Sequence, residues 1–252
     1  VQDGDRIGIV GKNGDGKSTL LRLFAKMQDP DSGQITKRSD VRIGILDQFD
    51  NFLPDQTISQ VVIGDLAEHE WAGNPKVRDI FAGLLADFDF DQKVMELSGG
   101  QRRRVALAAL LADEWDILML DEPTNHLDIE GVAWLAQHLK TRWGKASGGL
   151  LVVTHDRWFL DEVCNLTWEV HDGVVDVYDG GYAAYILERN ERARSQAASE
   201  SRRQNLLRKE LAWLRRGAPA RTTKPKFRID AANELIANEP PPRDSVNLAK
   251  LA

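Results

Sequence analysis

A glycine-rich stretch near the start of the chain constrains the fold more than any other feature. Residues 6–10 are mostly apolar and favour a buried strand, and residues 17–27 favour a helix. Between them the pattern is a glycine, four further residues and then Gly-Lys-Ser. The backbone N–H groups of such a loop and the helix N-terminus attract phosphate oxygens. We therefore expect a phosphate-binding loop in an α/β fold, with nucleotide contacts from Gly11, Lys12, Asn13, Gly14, Asp15, Gly16, Lys17, Ser18 and Thr19.

Two acidic residues follow a second apolar run, residues 117–120. Asp121 stands at the carboxyl end of this predicted strand, the edge at which such sheets bind ligands. We expect Asp121 to hold Mg²⁺ through water and Glu122 to orient and polarise the attacking water. Lys17 would bridge the β- and γ-phosphates and Ser18 would ligate Mg²⁺. The sequence therefore predicts an enzyme that binds ATP with Mg²⁺ and hydrolyses it.

A third motif, residues 97–101, reads Leu-Ser-Gly-Gly-Gln and opens a predicted helix over residues 99–112. Ser98 is a good N-cap for that helix. The serine and glycines alone are a weak signal. Their place one helix length before the Asp121 strand makes the motif informative.

The predicted elements alternate between strands and helices along most of the chain, which favours an α/β layered fold. Residues 183–216 contain no proline or glycine and favour a long helix. Gly217 and Pro219 interrupt it, and residues 228–238 favour a second helix, so we expect a helical hairpin. The other predicted strands are 41–46, 150–153, 166–170 and 174–178, and the other predicted helices are 57–67, 75–87, 130–140 and a short one from Arg157.

Composition argues against a membrane or an oxidising compartment. No apolar run approaches the roughly 18 residues of a membrane-spanning helix, and the first residues lack the pattern of a signal peptide. The single cysteine, Cys164, excludes a disulfide within the chain, fits a reducing compartment and is expected to be buried. We therefore expect a cytoplasmic protein. Because the first predicted strand stands at the start, we also expect further strands before Val1.

Charge is unevenly distributed. The whole chain has a net charge of −6, whereas residues 185–228 hold thirteen basic and four acidic residues. A basic arm on an acidic body suggests an anionic partner for the arm. Because phosphate backbones reward positive charge, candidate RNA contacts are the residues near the predicted turn, Arg215, Arg216, Arg221, Lys224 and Lys226.

Together the three motifs resemble those of an ATP-binding cassette (ABC) domain. The stretches from Asp121 to Asp128 and from Val153 to Leu160 resemble the ABC-F subfamily, whose members are soluble and hold two cassettes on one chain. The resemblance implies a P-loop cassette with a mixed or parallel sheet over residues 1–182, with a helical subdomain at about 50–112. It further implies a helical hairpin linker at 183–243 and, at 244–252, the start of a connector to a second cassette.

The resemblance also implies roles that the residues alone do not establish. Gln48 would sense Mg²⁺ and water, Asp128 would couple two ATP sites, and His155 would steady the γ-phosphate. His155 directly follows an apolar strand, which independently favours a functional role. The motif residues Ser98, Gly99, Gly100 and Gln101 would contact ATP held by the opposite cassette. Each site would then need two cassettes, and this chain alone would turn over slowly, as a monomer or a weak ATP-dependent homodimer.

Two departures from the family pattern refine this interpretation. The aromatic residue that usually stacks on adenine would lie before Val1, so we expect weaker ATP binding. Residues 51–96 are too few to include the inserted arm of some ABC-F proteins, which favours the Uup-like branch. The resemblance implies a translation factor whose linker reaches ribosome-bound tRNA and rRNA. The alternatives are the energising subunit of a membrane transporter and, through the basic arm, a DNA-associated repair ATPase.

Overall fold

The computed structural model describes residues 1–47, 52–64, 73–144 and 146–215. Two compact units divide the chain, Val1–Glu188 and Arg189–Ala252. The first unit contains every strand described below. Within the described residues, no helix is long and apolar enough to cross a membrane.

A six-stranded sheet forms the centre of the first unit. Its order is β2-β3-β4-β1-β5-β6, and all neighbours are parallel except the antiparallel pair β5 and β6. The carboxyl ends of the five parallel strands therefore meet at one edge. The strands are β1 (Arg6–Val10), β2 (Ile43–Leu46), β3 (Ile117–Asp121), β4 (Gly149–Val153), β5 (Leu166–His171) and β6 (Val174–Asp179).

Helices lie between these strands and after them. Local caps explain several of their starts: Thr57 and Ser98 each form a capping box, and Asn74 caps a helix that begins with proline. The helices are α1 (Lys17–Phe24), α2 (Ile58–Ile63), α3 (Pro75–Leu84), α4 (Gly99–Ala112), α5 (Ile129–Thr141), α6 (Arg157–Val163) and α7 (Tyr182–Arg215), with a 3₁₀ turn at Val94–Glu96.

Three predicted helices end earlier than expected: the helix expected over 75–87 ends at Leu84, and the other two are followed by a residue with positive φ. The helix expected over 17–27 ends at Phe24, and Lys26 has a φ of 57°. The helix expected over 57–67 ends at Ile63, where Gly64 takes a φ of 64°. In both places a left-handed backbone conformation turns the chain away from the helix axis.

Alternation along the strands separates two apolar clusters on the two faces of the sheet. Met119 and Leu151 pack with α1 through Leu21, whereas Leu118 and Leu120 pack with the remaining helices of the cassette. The side chains of these residues are at most 2% exposed. Because successive side chains of these strands point to opposite faces and both faces are buried, the strand sequences are almost wholly apolar.

The long helix α7 begins within the first unit and continues into the second. Its Tyr182–Glu188 segment belongs to the first unit, and Arg189–Arg215 to the second. The helix expected at 228–238, the hairpin tip and the connector at 244–252 lie outside the described residues. The domain boundaries at 182 and 243 remain predictions.

Candidate nucleotide site

The glycine-rich loop between β1 and α1 requires glycine for a steric reason. Gly11 has a φ of 155°, and a Cβ there would lie 2.4 Å from the carbonyl oxygen of Val170. The Asp15 carboxylate accepts a hydrogen bond of 2.7 Å from the Lys12 backbone N–H, which closes the loop on itself. Gly16 has a φ of 92° and ends the loop as the N-cap of α1. The loop therefore adopts a conformation that L-residues with side chains rarely reach.

Lys17 lies beneath this loop. Its Nζ donates hydrogen bonds to the carbonyl oxygens of Gly11 at 3.0 Å and Lys12 at 2.8 Å, and the residue is only 9% exposed. Both acceptors are neutral, so they hold the ammonium in place without cancelling its charge. A positive charge fixed under a loop of backbone N–H groups favours a bound anion.

The N-terminus of α1 differs from those of the other sheet-packed helices. Gly16 offers no side-chain cap, whereas side chains cap α4 through Ser98, α5 through Asp128 and α6 through Asp156. The first N–H groups of an uncapped helix remain available, and the helix dipole places partial positive charge there. This is the arrangement that binds phosphate in other proteins.

One buried and one partly buried carboxylate line the same cavity. Asp121 is 2% exposed, and in the described part of the chain neither of its carboxylate oxygens has a hydrogen-bond partner. The same holds for Oε2 of Glu122. Unpaired buried carboxylates are costly, and oxygen donors of this kind are the ligands that Mg²⁺ takes in proteins. The residues present therefore fit a bound Mg²⁺ ion at Asp121.

Glu122 leaves the sheet at a strained position. Its φ is 50°, and its backbone N–H donates to the carbonyl of Val153 at 2.8 Å. A left-handed conformation is uncommon outside glycine and clusters at functional sites. Its Oε1 lies 3.4 Å from Nε2 of His155. Burial raises the pKa of Glu122, and the nearby His155 opposes this rise.

One cavity of about 350 Å³ brings most of the predicted site together. It joins the phosphate loop, the acidic end of β3, the last residue of β4 and His155 two residues beyond it. Its lining consists of Asn13, Gly14, Gly16, Lys17, Ser18, Thr19, Asp121, Glu122, Val153 and His155.

The Leu-Ser-Gly-Gly-Gln residues lie elsewhere. Ser98 Oγ accepts from the Gln101 N–H at 3.3 Å, and Gln101 Oε1 accepts from the Ser98 N–H at 3.0 Å. These side chains start α4 with a reciprocal capping box. Neither they nor Gly99 and Gly100 line the 350 Å³ cavity.

Asp128 caps α5 by accepting from the Gly131 N–H at 2.8 Å. It also lines a second cavity of about 630 Å³, which shares Glu122 and His155 with the first. The rim of this second cavity includes Trp158 and Ile129, which are 52% and 89% exposed. Asp128 is therefore placed near the site by its structural role as a cap.

Several predicted site residues fall outside the described residues. Gln48 is one of them, as are the candidate RNA contacts Arg216, Arg221, Lys224 and Lys226. Arg215 is the last residue of α7, and only its backbone is described.

Sequence reasoning missed a group of residues behind the site. Arg103 of α4 donates to the backbone carbonyls of Asp47 and Asp121, and Arg22 of α1 pairs with the Asp47 carboxylate. The basic run at 102–104 gave the only hint of Arg103. No pattern in the sequence marks Arg22 and Asp47 as partners, because 25 residues separate them.

Two ABC transporter family models match this chain, at residues 1–125 and at residues 168–249. The energy-dependent translational throttle protein EttA of Mycobacterium tuberculosis is 37% identical over 93% of this chain and 48% of its own length. The chain spans about half the length of the curated relatives it matches.

Solved structures share the fold. A chain in the complex of archaeal ribosomal stalk protein aP1 with archaeal ribosome recycling factor aABCE1 is 30% identical, with a TM-score of 0.58 over 66% of this chain and 32% of that one. The ATP-binding cassette MJ0796, a dimer in a post-hydrolysis state bound to ADP and Pi, is 26% identical, with a TM-score of 0.59 over 71% of this chain and 87% of that one. The predicted α/β cassette fold is thereby confirmed. From its motifs, sheet and matched relatives, the chain belongs to the ABC transporter family of ATP-binding cassettes.

Proposed function

We propose that this cassette binds ATP with Mg²⁺ and hydrolyses it to ADP and phosphate. The observation that carries the proposal is the 350 Å³ cavity, in which the uncapped start of α1 faces the buried carboxylate of Asp121 and the partly buried carboxylate of Glu122. Such a cavity offers positive potential to the phosphates on one side. On the other it offers oxygen ligands to a metal and a base to a water molecule.

Each side chain then has a role in positioning the reactants. Lys17 and the loop N–H groups hold the β- and γ-phosphates in place. Ser18 and Asp121 would hold Mg²⁺, with Gln48 as a further ligand on the strength of the family resemblance. Mg²⁺, when bound, neutralises the charge that develops on the phosphate oxygens. The contribution of the protein is geometry and electrostatics rather than a covalent intermediate.

Glu122 is the group that acts on water. Burial raises its pKa, so its carboxylate is a stronger base than an exposed glutamate. His155 lies 3.4 Å from that carboxylate, lines the same cavity and has a side chain that is 67% exposed. In the proposed mechanism it would donate to a γ-phosphate oxygen and orient Glu122.

A substitution at Glu122 tests this mechanism. Glu122→Gln keeps the shape of the side chain but removes the base, so ATP binding should persist while hydrolysis falls at least about 100-fold. Binding is measured by calorimetry and hydrolysis by phosphate release. The matched control, Glu114→Gln, changes an exposed carboxylate and should behave as the unsubstituted protein. Undiminished hydrolysis by Glu122→Gln would contradict the proposal.

We further propose that a second cassette completes each ATP site. The residues Ser98, Gly99, Gly100 and Gln101 do not line the cavity of their own cassette, which leaves them to contact ATP bound elsewhere. The dimer of the related cassette MJ0796, bound to ADP and Pi, is in keeping with a shared site. Asp128, which lines the second cavity together with Glu122 and His155, would couple the two sites.

The work that hydrolysis drives is proposed to take place on the ribosome, in the cytoplasm. EttA is named a translational throttle, and aABCE1 a ribosome recycling factor. This chain itself has a basic arm, residues 185–228, and its positive charge suits an RNA backbone. On this view the chain is an ABC-F cassette of the Uup-like branch, with its cassette at 1–182, its linker at 183–243 and the connector to the second cassette from 244.

A further inference from the structure

A chain of polar contacts joins α1 to the acidic end of β3. Arg22 donates to Asp47 through Nε, at 3.0 and 3.2 Å to the two carboxylate oxygens, and through Nη2 at 2.9 Å to Oδ1. The backbone carbonyl of Asp47 accepts from Nη1 of Arg103. Nη2 of the same guanidinium donates to the carbonyl of Asp121 at 2.6 Å. The contacts therefore run from α1 through Asp47 and Arg103 to Asp121.

These contacts are shielded and geometrically demanding. The side chains of Arg22 and Asp47 are 27% and 14% exposed. The hydrogen bonds and charge of Asp47 raise the pKa of Arg22. A guanidinium that meets a carboxylate through two nitrogens restricts both the distance and the angle between them.

The ends of this chain of contacts coincide with the two ends of the proposed Mg²⁺ site. Ser18 lies in the first turn of α1, the helix that contains Arg22. Asp121 is the last residue of β3, and its carbonyl is held by Arg103. Mg²⁺ would tolerate little displacement of Ser18 relative to Asp121 or to a water molecule that Asp121 holds, so a small shift of one against the other would weaken binding.

We infer that Asp47 is a positioning residue of the Mg–ATP site, which sets the separation of Ser18 and Asp121 through Arg22 and Arg103. The inference rests on the proposed function. Asp47 itself touches neither phosphate nor metal in this account. Its loss would affect the metal-dependent part of ATP binding and spare the contacts made by Lys17 and the loop.

Asp47→Asn tests the inference, with Asp116→Asn as the matched control. Asp116 lies before β3, at the opposite edge of the sheet, and accepts from the Arg42 N–H at 2.7 Å. The dissociation constant of ATP is measured by calorimetry in excess EDTA and again in saturating Mg²⁺. The dissociation constant in EDTA divided by the dissociation constant in Mg²⁺ gives the contribution of the metal to ATP binding.

The expected result is a ratio reduced about 10-fold in Asp47→Asn, within the roughly 10- to 100-fold range known for residues that support metal ligands. ATP affinity in EDTA should stay within about twofold of the unsubstituted protein. Asp116→Asn should keep the full ratio. Arg22→Lys preserves the charge, so its ratio should fall less than that of Asp47→Asn. Arg22→Gln removes the charge, so its ratio should fall as far as that of Asp47→Asn.

Other outcomes would overturn the inference. If folded Asp47→Asn or Arg22→Gln keeps the ratio unchanged, Asp47 and Arg22 form only a structural ion pair. Equal losses of ATP affinity with and without Mg²⁺ would lead to the same conclusion. Arg22→Gln breaks the same pair from α1, so it provides the test if Asp47→Asn does not fold. If the unsubstituted protein binds no ATP, the proposed function fails with it, and that result is distinct from a lost ratio.

Discussion

At the residue scale, the site depends on backbone conformations and buried charges that few residue types tolerate. Gly11 approaches the Val170 carbonyl too closely for any side chain, and Glu122 occupies a left-handed conformation. Asp121 has two buried carboxylate oxygens without a partner among the described residues. Each feature lowers the stability of the empty fold and suits a bound nucleotide and metal.

Gly11→Ala is the residue-scale prediction. The new Cβ would collide with the Val170 carbonyl and force the loop to shift, so ATP affinity should fall at least about 10-fold, the equivalent of about 1.4 kcal/mol. Gly33→Ala is the control, because Gly33 has a φ of 82° but a Cβ added there would have no neighbouring atom within 4 Å. Calorimetry with ATP measures both. Equal affinity in the two variants would contradict a steric role for Gly11.

The sequence predicts most residues of the candidate site but not the polar contacts behind them. Lys17, Asp121, Glu122 and His155 follow from motifs, because each stands at a fixed place beside a strand or helix end. The contact between Asp47 and Arg103 does not, since it joins residues that lie 56 positions apart in the chain. Such contacts are created by the packing of α4 against β2, and no local pattern encodes them.

At the scale of elements, α6 ties the nucleotide site to the start of α7. This short helix begins two residues after His155. Asp161 Oδ1 accepts from the Ala183 N–H in the first turn of α7 at 2.7 Å, and the Arg157 guanidinium lies 5.3 Å from the centre of the Tyr182 ring. Composition predicts the long helix α7, whereas its cap comes from a residue of another helix.

Asp161→Ala should loosen the first turn of α7. A lost cap costs about 1 kcal/mol, so the backbone amides of Tyr182–Glu188 should exchange with solvent roughly fivefold faster. Hydrogen exchange followed by mass spectrometry resolves this segment. Glu162→Ala on the same helix removes a carboxylate that pairs with Lys140 and should leave the exchange unchanged. No acceleration in Asp161→Ala would show that other contacts hold the turn.

The sequence predicts element boundaries less well than element identity. Helix starts that carry a Ser or Asn cap are located to within a residue, as at Ser98 and Asn74. The predicted ends of α1 and α2 fall three or four residues too late, because a left-handed residue follows each helix. Apolar periodicity continues past such a stop and does not record it.

At the scale of the whole molecule, charge separates the acidic cassette from the basic arm. The net charge of −6 would repel RNA if it were evenly spread, and the concentration of basic residues after Tyr185 gives one region the opposite sign. The cassette would then use ATP to control when the arm engages its partner. A transporter subunit or a DNA-repair ATPase would engage a membrane protein or DNA instead.

Ribosome binding by a variant that binds ATP without hydrolysing it tests the proposed partner, because blocked hydrolysis should trap the closed, ATP-bound form. Glu122→Gln is introduced into this chain joined to the proposed second cassette, ATP is added, and the mixture with ribosomes is separated on a density gradient. We expect ATP-dependent co-sedimentation that is lost when the charges of Arg215, Arg216, Arg221, Lys224 and Lys226 are neutralised. If the trapped protein stays at the top of the gradient with ATP present, the ribosome is not its partner, and only the ATPase proposal stands.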